Sequence, residues 1–419
     1  MSQFCTELGS PNTSAATGSR RSGALRRDDA AAHGRWSAGA VWAALAALAI
    51  TLGACESPSS LAPTAQSGLT VTTQGRLERG ATVQLQVMHN GSPVSGQEVS
   101  WTTASDTRVR LVKPDSAVLT DTGDVSITAR TGIGNTTVVV HVDAPPTIVF
   151  AMHDVASDGT LGDYDVYRAS LDGQALTRLT SGTSDNDEPS VANGVVVFTS
   201  YRDGYPALYR VPLGGGAESR LPGLSGSAFQ PALSPDGSHL AFIAADSGLD
   251  KLWIAASDGS GADRPTTNVG SPSAEEASPS WAPSSDSVVF VSTTLGNAAI
   301  VDLAASTDSA QALTDGTFTA VDPAWSADGR SIAFASTRDG DLGIFVLTIA
   351  TGQVVRVSPQ PSNAGQPCWL SDGRIVYTEE SSTPSGIISQ LNWIDPAHLG
   401  VAHVIATPAG NPENAQAAR

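Results

Sequence analysis

Carboxylates dominate the reactive side chains of this 419-residue sequence, with 41 Asp and Glu against 23 Lys and Arg and 7 His. Chemistry that needs a histidine base or a bound transition metal finds little to work with. His89, His141, His153, His239, His398 and His403 are scattered, without the short spacings that metal ligands share. Neither H-E-x-x-H nor G-x-S-x-G occurs. The Ser-Asp-Gly triplets at Ser157, Ser257 and Ser371 have the composition of turns, so their hydroxyls read as turn formers rather than nucleophiles. Cys5, Cys55 and Cys368 give no disulfide framework. What remains is the chemistry of carboxylate groups gathered on loops, which attract cations and basic segments.

Those loops belong to a repeat. Pro323 to Val357 reads as a strand entered through proline, a tight Asp328-Gly329 turn, a strand Ser331–Ser336, a second turn at Arg338-Asp339-Gly340-Asp341, and two further strands. Its opening proline recurs as Pro189, Pro231, Pro279 and Pro367, about 42 to 48 residues apart. The second strands follow as VVVFTS, HLAFIAA, SVVFVST, SIAFAS and RIVYTEE. A sixth, Thr147 to Ala151, has no first strand ahead of it. Four antiparallel strands in each repeat predict propeller blades, which bury their faces only by stacking on neighbours. The missing first strand predicts that Ala415 to Arg419 pairs with Thr147 to Ala151 and closes a six-bladed ring over residues 146–419.

In such a ring the loop between strands two and three and the loop entering the next blade open on one face. They carry Asp154, Asp158, Asp163, Asp185, Asp187, Glu188, Asp203, Asp246, Asp250, Glu275, Glu276, Asp339, Asp341, Glu379 and Glu380, with Asp315 and Asp322 beside them. Arg202, Lys251 and Arg338 are the basic members. This is the candidate binding rim, suited to a basic peptide, a protein loop or a divalent cation such as calcium. Acidic loops are also what any strongly acidic chain displays. No other cofactor is expected.

A net charge of −18 and a pI near 4.6 exclude the basic stripe that nucleic-acid binding requires. Gly 41 and Pro 25 suit short strands and many turns.

The pattern P-x-W-S-x-D-G, a hydrophobic strand, a D-G turn and R-L-T resembles the TolB-type propeller repeat. In that family the turn aspartates, here Asp236, Asp328 and Asp372, cap the hairpin. The repeats depart from it at Ala192-Asn193-Gly194 and Pro283-Ser284-Ser285-Asp286. The family includes the periplasmic TolB partner of the Tol-Pal system, propellers attached to prolyl peptidases, and some pectin-degrading lyases. TolB itself carries an α/β domain before the propeller, and this chain has strand-like sequence there instead. A peptidase lacks its hydrolase domain here. A polysaccharide lyase would need histidines and carboxylates converging on the axis with a metal, and His153 is the only histidine in a loop on the acidic face.

Before the propeller, residues 68–143 alternate in the manner of half-buried strands: Leu69–Thr72, Thr82–Val87, Val99–Thr102, Val125–Ala129 and Thr136–Val142. Turns at Asn90-Gly91-Ser92-Pro93 and Asp121-Thr122-Gly123-Asp124 separate them. NGSPVSGQEVSW, TDTGDVSITARTG and NTTVVVHV resemble bacterial immunoglobulin-like domains of the invasin and intimin type, with Trp101 at the core position. That implies an Ig-like β-sandwich acting as a spacer or adhesive module. Val142-Asp143-Ala144-Pro145-Pro146 makes a stiff junction.

At the start, Arg20, Arg21, Arg26, Arg27 and Arg35 precede an uncharged run from Ala38 to Ala54 that ends Leu52-Gly53-Ala54-Cys55. This resembles a bacterial lipoprotein signal peptide over residues 1–54. The resemblance implies cleavage after Ala54 and acylation of Cys55, with Glu56 to Ser67 as a flexible Pro/Ser/Ala tether within residues 55–67. The sequence thus predicts an all-β chain, an N-terminal Ig-like β-sandwich followed by a six-bladed TolB-like β-propeller. The function read from it is a lipid-anchored protein of the bacterial cell envelope, periplasmic or surface, whose propeller binds a basic or cationic protein or envelope polymer without catalysis. The alternatives are a lyase-like propeller enzyme and an adhesin that binds through the sandwich.

Overall fold

The computed structural model describes residues 68–419 apart from 95–98, 104–107, 114, 156–160, 266–272, 384–385, 406, 408–411 and 418–419. Cys55, the leader and the tether lie outside the described residues, as does Asp158. Every regular element among the described residues is a β-strand.

Two sheets form over residues 69–142. One orders Leu69–Gln74, Thr82–His89, Ser116–Leu119 and Val109–Lys113, with Ser92–Pro93 paired onto Thr82–His89. The other orders Ser100–Thr102, Gly123–Thr131 and Gly134–Val142. Alternation places Val83 and Leu85 of the first sheet against Val125, Ile127, Val140 and Val142 of the second, and Trp101 packs at the margin of that core. Three strands here differ from the sequence expectation. Val109–Lys113 and Ser116–Leu119 form a short hairpin whose Arg110 and Lys113 break the apolar pattern. The turn expected over residues 90–93 contracts to Asn90-Gly91, at φ 49° and 82°, and lets Ser92 and Pro93 pair with His89 and Met88.

The remaining described residues form six sheets, named blades 1 to 6. Blade 2, for example, runs Asn186–Ala192, Val195–Ser200, Ala207–Pro212 and Ser219–Arg220. Blade 3 keeps three full strands, and its fourth position is a single bridge between Ile254 and Asp263. The first strands of blades 2 to 6 (Asn186–Ala192, Phe229–Leu233, Glu276–Trp281, Ala320–Trp325, Ala364–Trp369) and Glu413–Ala417 contact one another in a closed ring, so these are the inner strands. Six apolar cores alternate with the blades, each built by two neighbours. Trp325 joins blade 5 to Val289 and Ile300 of blade 4, and Trp369 joins blade 6 to Ala333 and Ile344 of blade 5.

Blade 1 takes its inner strand from the C-terminus. Glu413–Ala417 pairs antiparallel with Thr147–Val155, with Gln416 opposite Val149 and Ala417 opposite Ile148. The strand begins two residues before the expected Ala415. Two residues stand opposite one between Glu413 and Gln416, so Ala415 stands where the other inner strands have proline.

Asp236, Asp328 and Asp372 each shape a turn between first and second strands. Asp328 Oδ1 accepts from Ser326 Oγ at 2.7 Å and from the Arg330 amide at 3.1 Å, while Gly329 sits at φ 68°. On this same face the two-sheet body meets the propeller. Glu78 pairs through both oxygens with Arg374, a side chain 1% exposed, and Arg79 pairs with Asp172.

Candidate functional site

At the centre of the ring, each first strand of blades 2 to 6 shifts register immediately before its proline. The residue ahead of that proline is left-handed every time: Glu188 at φ 51°, Gln230 at 50°, Ser278 at 49°, Asp322 at 51° and Gln366 at 53°. A residue before proline ordinarily stays extended, and a left-handed non-glycine stores strain. All five are polar, and the side chains of the first four link blade to blade. Glu188 Oε2 accepts from the Gln230 amide at 2.9 Å, and Gln230 Oε1 accepts from the Ser278 amide at 2.8 Å. Ser278 Oγ donates to Asp322 Oδ1 at 3.0 Å, and Asp322 Oδ2 accepts from the Gln366 amide at 3.2 Å. Gln366 Oε1 then accepts from Thr378 Oγ1 at 2.9 Å.

Two carboxylates in this chain of bonds are held in an environment that disfavours charge. Burial, then the neighbouring Asp187 charge, pushes the Glu188 carboxyl up to about 7, against the donors Gln230 and Thr199 that favour its ionised form. Burial also raises Asp322, opposed by Ser278 and the Gln366 amide.

Near Glu188 the loop entering blade 2 meets strands of blade 1. The Tyr201 amide donates to the Asp185 carbonyl at 3.1 Å, and the Tyr164 amide donates to Asp185 Oδ1 at 2.9 Å. Tyr164 Oη donates to Glu413 Oε1, and the His153 ring lies tilted by 32° against Tyr164 with centroids 3.7 Å apart. Burial raises Glu413, and the charges of Asp187 and Glu380 push the same way. Tyr201 is raised by burial and then by Glu188, Asp187 and Asp185, so these three carboxylates and Glu413 make one negative mouth.

Other members of the expected rim are committed elsewhere. Asp341 is held down to about 2 by Arg356, whose guanidinium donates to its two oxygens at 2.8 and 3.0 Å. Asp203 pairs with Arg220 at 3.2 Å and accepts from Tyr209 Oη. Asp246 pairs with Arg264 at 2.5 Å. Glu276 is buried, accepting from the Leu252 amide at 2.8 Å with Lys251 Nζ at 3.8 Å, and so does not stand on a solvent-facing rim. Glu379 and Glu380 hold Asn363 through its amide and side chain. Asp250, Glu275 and Asp339 face solvent, and Asp163 is half-buried. The side chain of Asp154 lies outside the described residues. Among the described residues no group of three or more His, Cys, Asp or Glu is placed to hold a metal ion.

Sequence reading of the rim missed Gln230, Ser278 and Gln366, together with Tyr164, Tyr201 and Glu413. A polar residue before each repeat proline was the available signal for the first three.

Residues 229–394 match the family model described as the TolB beta propeller domain, PD40. The ring is a TolB-like propeller. The Tol-Pal system protein TolB of Anaeromyxobacter dehalogenans is 36% identical over 86 residues, 20% of this chain and 19% of that protein. The chain thus spans about a fifth of the length of the curated relatives it matches. The crystal structure of TolB from Acinetobacter baumannii superposes with a TM-score of 0.58 at 17% identity, covering 78% of this chain and 84% of that one. A putative TolB from Agrobacterium tumefaciens gives 0.50 at 15% identity, covering 64% and 91%. At these identities the TolB-like propeller shares a fold with the solved structures.

Proposed function

We propose that this chain is a non-catalytic binding scaffold of the bacterial cell envelope. A lipid on Cys55 anchors it, residues 55–67 tether it, residues 68–143 form an Ig-like spacer, and the mouth of the TolB-like propeller over residues 146–419 takes a protein partner. The observation that carries this reading is the convergence of Asp185, Asp187, Glu188 and Glu413 at one end of the ring. The opposite end carries the Asp172 and Asp372 turns that meet the two-sheet body, which leaves the negative mouth as the face open to a partner. A concave acidic surface speeds the arrival of a basic segment and favours it over acidic competitors. The curated relatives' name, Tol-Pal system protein TolB, supports an envelope setting and a protein partner.

Site-specific photo-crosslinking in intact cells tests this. A crosslinker at Tyr201, on the mouth, should yield a discrete protein adduct that Asp185→Asn with Asp187→Asn abolishes, whereas one at Ser284, on the opposite turns, should not. Equal adducts from both positions, or an adduct indifferent to the carboxylates, would overturn the reading.

A further inference from the structure

The ring is closed by the strand with least to bury. Inner strands of blades 4, 5 and 6 end in Trp281, Trp325 and Trp369, each buried against a neighbouring blade. Glu413–Ala417 contributes Ala415 and Ala417 to the core between blades 6 and 1. A methyl group removes a small part of the apolar surface that an indole does, and the backbone that enters Glu413–Ala417 from blade 6 does not run on into Thr147–Val155, which it only pairs with. The closing seam of the ring is therefore the pairing of Glu413–Ala417 with Thr147–Val155, which hydrogen bonds and packing alone hold shut.

Behind that seam lies the segment Arg76-Leu77-Glu78-Arg79, which reaches both sides of it. Arg79 donates to Asp172 at 2.8 Å and to Ser170 Oγ at 3.3 Å, both in blade 1. Glu78 accepts from Arg374 at 2.7 and 2.8 Å, and Arg76 pairs with Asp372 at 3.2 Å and Asp395 at 3.5 Å, all in blade 6. The segment is itself fixed, since the Arg79 amide donates to the Asp143 carbonyl and the Asp143 amide donates to the Leu77 carbonyl. Its signs alternate to match what faces them. Arg374, 1% exposed and 4.9 Å above the Trp393 ring, has Asp372 within its own blade, and Glu78 supplies its second carboxylate from across the junction.

We infer that residues 76–79 are a clamp holding the first and last blades together across the closing seam. The two-sheet body is then part of the ring's closure and not only a spacer. This does not depend on what the mouth binds.

Hydrogen–deuterium exchange on the full chain tests it. In Arg76→Gln with Arg79→Gln, both partly exposed side chains, the buried Glu78–Arg374 pair stays in place while the bridge to blade 1 is lost. Amides of Glu413–Ala417 and Thr147–Val155 should then exchange roughly tenfold faster, with those of Ser287–Leu295 in blade 4 unchanged. Glu78→Gln should show the same pattern more strongly. If that variant does not fold, the double variant decides alone. Unchanged exchange at Glu413–Ala417, or equal acceleration in blade 4, would overturn the clamp.

Discussion

Glu188 accepts the backbone N–H of Gln230, so that the left-handed residue of one blade holds its counterpart in the next. The bond keeps a carboxyl group half out of solvent beside Asp187, where charge is disfavoured.

For Glu188 the pH dependence follows from a folded value near 7 against an ordinary value of 4.5. Between the two, the folded chain binds more protons than the unfolded one, so this group's contribution falls as pH rises through that window. Glu188→Gln keeps an acceptor without the charge. Thermal melts should show the variant overtaking the wild type by on the order of 1 kcal/mol between pH 5 and 8, with the gap closing at lower pH. Parallel pH profiles for the two proteins would count against it.

Asp341 behaves oppositely. Its carboxyl is held at about 2 by Arg356 and the Ser362 amide, from an ordinary value of 3.8. Its stabilising contribution is complete above the unfolded value and is lost as pH falls toward 2. Asp341→Asn should be less stable at pH 7 and should flatten the acid limb of the stability profile below pH 4, as read by denaturant melts.

Three tryptophans occupy like positions with unlike polar ends. Trp281 Nε1 donates to the Ala232 carbonyl at 2.9 Å, whereas Trp325 Nε1 and Trp369 Nε1 are buried with no partner among the described residues. Trp281→Phe should cost about 1 kcal/mol more than Trp369→Phe in chemical denaturation. Trp369→Ala, which opens a cavity between blades 5 and 6, should cost about 3–5 kcal/mol.

Removal of residues 413–419 takes away the inner strand of blade 1 and the acceptor of Tyr164 Oη. One cooperative transition at a Tm several degrees lower is expected by calorimetry. An unchanged melt would mean that the strand contributes nothing to closure.

Cys55→Ser should shift the chain from the membrane fraction to the soluble fraction and abolish incorporation of labelled palmitate. Retention in the membrane after the substitution would refute anchoring through that residue.

The inner strands were legible because proline announces them. Pro189, Pro231, Pro279, Pro323 and Pro367 all lie in first strands, and Asp-Gly turns follow Pro231, Pro323 and Pro367. The polar ring was not, because its members are Glu, Gln, Ser, Asp and Gln, which share no motif, and because a residue before proline is expected to be extended. Arg374 follows an Asp-Gly pair and looks like a solvated turn cation, yet Glu78, nearly three hundred residues earlier in the chain, covers it. The start of the closing strand was less legible, since Glu413–Ala417 lacks the proline that marks the other inner strands.

The bonds around the axis have a common sense of travel. At Glu188, Gln230 and Asp322 the side chain of one blade serves the amide of the following blade, and at Ser278 a hydroxyl reaches forward to Asp322 instead. Each of blades 3 to 5 therefore supplies a group for its successor and a group for its predecessor. Copying a whole repeat in tandem would add one supplier and one receiver together, orphaning neither neighbour, so rings of this design can gain or shed members without rewriting the centre.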